Sequence, residues 1–510
     1  MRSSNSIKNA IVAIGMNLIV MLVGFIAQKI FIVTLGNEYL GLNGLFSNIL
    51  SMLSIVELGF GNAIIYHLYK PVADNDERKI AILISFYKRV YSIIAIIIFI
   101  LGLAIMPFLT YIVGEVSIEG SIHFLFLLAL LDIVASYLLT YKRSTLYANQ
   151  KNYIINIIHI LYTISMNVCE IVLLLLFKNY VLYLIIKILF RLLENIIINI
   201  IVNKMYPFLK KKTNETLDNE TKDDIYTKVK GLLFHQIGSS LVLSTDNIII
   251  SKFLGVVTVG LYSNYNMIIS AITNLLGQVF TSITSVVGNL LIEKNKEKSY
   301  KIYNSMLFIN SWLYCFCGAC LLCLMQPFIT LWIGQDYLLS YGVLIALVVN
   351  FYIQGMRKTS NTFKEAAGIF YEDRFVPLIE SAINIIASII LVKILGLIGV
   401  FIGTILSSLI LFLYSYPIFV YKRLFNKKYS DFIKNHLKYL IISIFTVVIT
   451  ALVINQINIS NLFITLLVNA IICCIVPNLI YILLFFRTEE FKYYLNLLKQ
   501  LLCKKIKRFN

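Results

Sequence analysis

The sequence predicts an all-α integral membrane protein of about fourteen transmembrane helices, and three observations carry that prediction. Of the 510 residues 59% are apolar and 14% charged, against roughly 45–50% and about a quarter in soluble domains. No packed interior hides so much apolar side chain under so little charge. The apolar runs reach about 20 residues or more, enough to cross roughly 30 Å of hydrocarbon as helix, and they lack the alternation of a barrel strand. Third, the basic residues fall in alternate connections between those runs. A soluble enzyme is thereby excluded, and so is a disordered chain, which would be poor in Ile, Leu, Phe and Tyr.

The spans read as 10–35, 40–69, 89–113, 122–140, 153–177, 180–203, 231–252, 258–289, 302–330, 341–356, 375–392, 396–420, 439–456 and 461–486. Of the 44 Lys and Arg, 38 lie at the termini and in one set of connections. Only Lys178, Lys252 and Lys393 lie in the other set, and Lys29, Lys187 and Arg191 lie inside spans. Basic segments are retained on the cytoplasmic side during insertion, so both termini and the segment 204–230 are expected in the cytoplasm. The net charge of +18 is then a record of topology, with attraction to anionic lipid second and no nucleic-acid partner. The run Ala10–Leu35 is too long for a cleaved signal and reads as a retained span.

Cys317, Cys320 and Cys323 have the spacing of an iron–sulfur ligand set. Inside a lipid-embedded helix they read instead as small packing residues. Cys169, Cys473, Cys474 and Cys503 lie in spans or the tail, which implies no disulfide framework. The five histidines have no metal-ligand spacing, so neither a metal nor a cofactor is expected. Asn214 and Asn219 begin glycosylation acceptor triplets, but in a cytoplasmic loop these are accidental.

An internal repeat organises the chain. Leu35-Gly36 through Gly41-Leu42 recurs as Leu254-Gly255 through Gly260-Leu261, an offset of 219 residues that also pairs Ser47 with Asn266, Ser51 with Ser270 and Ser54 with Thr273. An offset of six helices returns the second unit to the same orientation, which is a parallel repeat with a binding site between the halves. The expected organisation is an N-lobe of six helices at 1–206, a cytoplasmic linker at 207–230, a C-lobe of six at 231–421, and two further helices with a basic tail at 422–510.

Polar residues inside the spans mark the candidate cavity. Asn43, Ser47, Ser51, Ser54, Glu57 and Gly61 share about a third of the second helix's circumference, and Ser263, Asn266, Ser270, Thr273, Asn274, Gly277, Thr281 and Gly288 repeat this on the eighth. Such a stripe faces water, a polar ligand, or a closely packed helix. In the sixth span Lys187, Arg191 and Glu194 stand at i, i+4 and i+7, and Asn195, Asn199 and Asn203 continue the face. This is either a cationic wall for an anionic ligand or an internal Arg191–Glu194 pair that leaves Lys187 over. Lys29 beside Gln28, and Asp246 beside Asn247, stand at matching depth in the two halves, as cavity lining or as a tie between lobes. Glu57, Asp132, Glu170, Glu194, Asp246 and Glu380 are candidates for ion coupling or gating, since burial raises a carboxylate's proton affinity. For each, a partner within the bundle is the alternative.

The segments Gly41–Asn48, Val56–Ala63, Tyr69–Pro71, Ser244–Ser251 and Val259–Tyr265 resemble the bacterial polysaccharide transporters. These are the Wzx-type flippases of O-antigen and capsule repeat units within the MOP superfamily, whose fold the multidrug exporters of the MATE type share. The resemblance covers roughly residues 1–420. It implies two six-helix lobes around a central cavity in the bacterial cytoplasmic membrane, and movement of an undecaprenyl-diphosphate-linked oligosaccharide to the outer leaflet. Coupling to a proton or sodium gradient by alternating access, with a polysaccharide polymerase and glycosyltransferases as partners, is implied as well. The second half carries Leu276 where the offset from Glu57 falls, which confines any carboxylate role there to one lobe. A cation-coupled multidrug exporter and a flippase for lipid II, the peptidoglycan precursor, are the rival transporters. A membrane glycan polymerase or ligase would need catalytic groups in a sizeable outward loop. The outward connections are short, with only Glu38, Glu115, Glu119 and Asp336 as acids, so no enzyme is expected.

Overall fold

Hydrocarbon offers the backbone no hydrogen-bond partner, so a chain of long apolar runs satisfies its amides within each run, as helix. The computed structural model describes residues 2–506 except 58–59, 115, 117, 119, 211–214, 294, 370–371 and 458. Glu115, Glu119 and Asn214 therefore lie outside the described residues. Among those described the chain is helical, without a strand.

In the first half α1 (Arg2–Leu35) is followed by α2 (Asn37–Leu53) and α3 (Phe60–Ala73), α4 (Glu77–Ile105) and α5 (Leu109–Val113), α6 (Ile122–Tyr137) and α7 (Arg143–Ala148), α8 (Asn152–Phe177) and α9 (Tyr180–Met205). Then come α10 (Asn219–Leu254), α11 (Val256–Ile292), α12 (Lys296–Trp332), α13 (Tyr341–Ala366), α14 (Val376–Leu395) and α15 (Leu397–Ile410). A π-helix at Leu411–Lys422 leads into the short α16 (Arg423–Phe425), and α17 (Tyr429–Asn455), α18 (Leu462–Phe485) and α19 (Glu489–Ile506) follow.

The repeat is visible in the backbone. Gly36 (φ 87°) separates α1 from α2, and Gly255 (φ 86°), its counterpart at the 219-residue offset, separates α10 from α11. A side chain at either φ would be strained, so the same hinge needs glycine twice.

Nine helices among the described residues are long and apolar enough to cross a membrane. Several expected spans outside those nine carry charges or breaks. The second is interrupted after Leu53 by a 3₁₀ turn, Ser54–Glu57, and α9 carries Lys187, Arg191 and Glu194. The continuous second span at 40–69 is thus corrected to two helices, so Gly61 does not continue the stripe that Asn43 begins. The fourth span also runs further than 140: it breaks after Tyr137 and resumes as α7.

By packing, the chain divides into two units, Met1–Ser263 and Asn264–Asn510. This division falls inside α11, eight residues into that helix. In the first unit α10 packs on α2, and α6 on α9. In the second, α17 and α18 pack on α12. There the Tyr481 hydroxyl lies 2.8 Å from that of Ser311 and 2.9 Å from that of Ser443, and the Trp312 indole donates to Asn478 at 2.8 Å. The last two membrane helices therefore belong structurally to the second unit.

Candidate functional site

The densest polar cluster inside the first unit is built around the break in the fourth span. Leu138 is extended and Leu139 sits at φ 65°, so the α6 helix ends there, with the Ala135 carbonyl held in the backbone by the Leu138 amide at 3.2 Å. Asn195 of α9, buried, bridges the break: its amide donates to the carbonyls of Ala135 at 3.0 Å and Leu138 at 2.8 Å. Its own side-chain oxygen accepts from the Arg143 guanidinium at 2.7 Å. One turn further, Lys142 folds inward and donates to Asn199 at 3.2 Å and Asn203 at 2.5 Å. The asparagine face of α9 is therefore the splint of a broken helix. Asn195→Ala is expected to lower stability by about 1–3 kcal/mol, because two buried carbonyls and a guanidinium lose a partner. Thermal unfolding of the purified protein reads this, and an unchanged midpoint would remove the splint.

Glu194, beside that splint, is fully buried and meets three bases: His159 Nδ1 at 3.0 Å, Arg143 at 3.3 Å and Arg191 at 3.7 Å. Arg191 also lies 3.5 Å from Asp132, with its guanidinium 5.4 Å from the centre of the Tyr162 ring. Lys187, one turn back on α9, makes no ion pair among the described residues, and its ammonium stands 5.9 Å from the Tyr183 ring centre. Asp132 Oδ1, Tyr162 Oη, Glu170 Oε1, Arg191 Nε and Glu194 Oε2 are buried and make no hydrogen bond among the described residues, although Arg191 Nε faces Asp132 Oδ1 and Glu194 Oε2 faces both arginines at ion-pair distance. Unmade bonds in such surroundings are costly. A cluster of mixed charge with several open bonds suits a polar ligand or ion better than a sealed core.

The predicted residues do not all converge here. Asp132, Glu170, Glu194, Lys187 and Arg191 belong to the α6–α8–α9 cluster. Glu57 stands in the break of the second span, where Tyr91 donates to it at 3.3 Å and stacks at 6.4 Å on Tyr137, the last residue before the other break. Asn43 accepts weakly from Tyr180 at 3.5 Å, and Lys29 is exposed on α1. Ser47 and Ser51 are exposed on α2, the Ser51 hydroxyl bonding back to the Ser47 carbonyl at 2.7 Å. On α11, Asn266 and Asn274 are exposed and Ser270 donates to Asn266 at 3.4 Å, while Asp246 is half-buried on α10.

Glu380 lies in the second unit, held by Arg357 through two bonds of 2.7 and 3.2 Å. Gln354, Ser408 and Tyr416 complete the shell of that guanidinium. The 219-residue offset lays Ile122 on Tyr341, so α6–α7 and α13 are counterparts, but it sets Arg357 against Leu138 and Glu380 against Leu161. The first unit instead places its buried acid on α9, where Glu194 meets Arg143 and His159.

The sequence places Lys142, Arg143 and Arg357 among the loop cations; the structure turns all three inward. Glu194 and Glu380 each need a base, but spacing does not say which, since Lys204 and Arg374 lie nearer to them in the sequence than Arg143 and Arg357.

No protein-family model matches the chain, and no curated protein matches it. Its fold is nevertheless shared with solved structures. The lipid II flippase MurJ, in an inward closed conformation, aligns with a TM-score of 0.67 at 16% identity, over 93% of this chain and 99% of that one. An inward-facing multidrug resistance transporter of the MATE family, MOP superfamily, aligns at 0.56 and 16% identity over 79% of this chain and 95% of its own. A mutant form of the Vibrio cholerae MATE transporter VcmN aligns at 0.53 and 14% identity, over 80% and 95%. The chain is a multi-pass membrane protein with the fold of the MOP-superfamily flippases and transporters.

Proposed function

We propose that this protein is a flippase that carries an undecaprenyl-diphosphate-linked oligosaccharide from the inner to the outer leaflet of a bacterial cytoplasmic membrane, for surface polysaccharide assembly. The observation that carries the proposal is the pair Lys187 and Arg191, a turn apart: one ammonium without an ion pair among the described residues, and one guanidinium whose buried Nε–H faces Asp132 at 3.5 Å without a hydrogen bond among them. A diphosphate is too costly to draw bare through hydrocarbon, and charge-assisted bonds from such groups replace its hydration. Arg143 and Arg191 are engaged by Glu194 and Asp132, which leaves Lys187 as the base of the cluster without an ion pair among the described residues. A base left over in this way suits an anionic group.

Asp132 and Glu170, with unbonded oxygens in the same cluster, are the groups we assign to a proton or sodium ion that exchanges with the substrate. Glu57 is the candidate for transmitting that exchange to the two helix breaks. Lys29, Asn43, Ser47, Ser51, Asn266, Ser270 and Asn274 would line the path of the sugars.

A flippase of lipid II is the second reading, favoured by the near-complete overlap with MurJ, 99% of that chain. Reconstitution separates the readings. Vesicles holding the purified protein are loaded in turn with lipid-linked oligosaccharide, lipid II and a lipophilic cation, and leaflet exposure or efflux is followed under an imposed ion gradient. Gradient-dependent exposure of the oligosaccharide is expected. Movement of the cation alone would overturn the proposal, and preference for lipid II would establish the second reading.

A further inference from the structure

Two glycines of the repeat meet each other. A Cβ placed on Gly41 of α2 would stand 1.9 Å from the carbonyl oxygen of Val256, and one on Gly260 of α11 would stand 2.4 Å from that of Asn37 and 3.2 Å from the Gly41 nitrogen. All of these neighbours are backbone, which cannot rotate aside. The pairing is reciprocal. The 219-residue offset turns Gly41 into Gly260 and Asn37 into Val256, so the contact of 41 with 256 becomes the contact of 260 with 37. Exchange of this kind is what a two-fold axis produces when it runs through an interface.

Gly44 repeats the theme, its Cβ position lying 2.8 Å from the Ser263 hydroxyl, and Ser263 is Gly44's own counterpart at the same offset. Further along, Ser47 and Ser51 on α2 and Asn266 on α11 are exposed, and Gly277 and Gly288 have no neighbour within 4 Å of a Cβ. The contacts of Gly41, Gly44 and Gly260 lie at the beginnings of α2 and α11. The expected topology puts those beginnings at the outer face, just after the hinge glycines Gly36 and Gly255.

We propose that the crossing of Gly41 with Gly260 is an outer seal, a backbone contact that closes the outer ends of the two polar helices and has to part once in every transport cycle. The proposal rests on the alternating-access reading above. The rival is a permanent pivot about which the helices turn without separating. Bare backbone suits a seal, since helices that touch without interlocking side chains separate without repacking. The hinges at Gly36 and Gly255 supply the freedom to do so.

The test reads conformation without reference to substrate. Ser51→Cys is introduced into the full chain, and its reaction with a membrane-impermeant maleimide applied outside intact cells is measured, with the signal of the native cysteines subtracted. Gly41→Ala and Gly260→Ala should each raise the outside labelling rate several-fold, while Gly277→Ala, in open space, should not. Unchanged labelling in both variants at normal abundance would overturn the seal.

Should those variants fail to accumulate, the pair Gly44→Cys with Ser263→Cys takes their place. Its two thiols are oxidised by molecular oxygen with a copper catalyst, losing two electrons and two protons to form the disulfide. Crosslinking should stop outside labelling of Ser51→Cys, and a reductant should restore it; labelling that continues through the crosslink means a pivot. Altered labelling in a protein that moves no oligosaccharide would retire the substrate and leave the seal standing.

Discussion

Lys187→Ala is expected to lower transport about ten- to a hundredfold while the protein inserts and melts as the parent does. The factor follows from the loss of a hydrogen bond to a charged group, about 1.5–3 kcal/mol, wherever the bond is made only to the ligand. The selectivity follows from the structure, in which Lys187 has a ring contact but no ion pair among the described residues. Arg191→Ala should do both kinds of damage. Arg191 contributes to the neutralisation of Glu194 and Asp132, so its loss leaves buried carboxylates short of a partner. Arg191→Lys then separates roles: retained transport means that charge suffices, and lost transport at normal stability means that the fork geometry of the guanidinium grips the ligand. The checks are leaflet exposure in vesicles and thermal unfolding, measured on the same preparations. Full transport by Lys187→Ala would take that residue out of the site.

In the second unit, Arg357→Ala is expected to cost about 3–5 kcal/mol, the usual penalty for stranding one member of a buried pair. Arg357 and Glu380 are joined by two bonds, and their side chains are only 15% and 3% exposed. Replacing both, as Arg357→Leu with Glu380→Leu, should recover most of that loss, since hydrophobic substitutes for a buried pair are often neutral. The double variant also decides whether Glu380 couples ions. Near-normal stability together with gradient-driven transport would make the pair a fastening. Near-normal stability with transport abolished would return Glu380 to the coupling machinery.

The two predictions treat similar-looking charges differently, and that distinction was out of reach of spacing alone. The stripe from Lys187 to Asn203 is legible as one helical face. Its division into a ligand-facing start and a structural end depends on the break after Tyr137, which Asn195 bridges. Nothing local announces that break: Leu138 and Leu139 are good helix formers, and Leu139 takes a left-handed conformation that tertiary packing imposes on it. For the same reason the second span looked continuous through Glu57. Arg143 and Arg357 followed the positive-inside pattern in sequence position while turning their side chains into the bundle, because Glu194 and Glu380 could not be left uncompensated in low dielectric.

Membrane residence, the helical class and the parallel repeat were determined by the sequence by itself, since each is a property of composition or period: apolar length sets helix in lipid, and an offset of 219 residues persists whatever the packing. Gly36 and Gly255 are legible in the sequence as marks of that repeat, while their φ of 87° and 86° belongs to the structure. The tertiary structure alone decided which charges neutralise one another, where helices break, and that Gly41 faces Gly260. The physical reason is that ion pairs and close crossings join residues far apart in the chain, and their energies depend on separations of a few ångströms that no local pattern encodes.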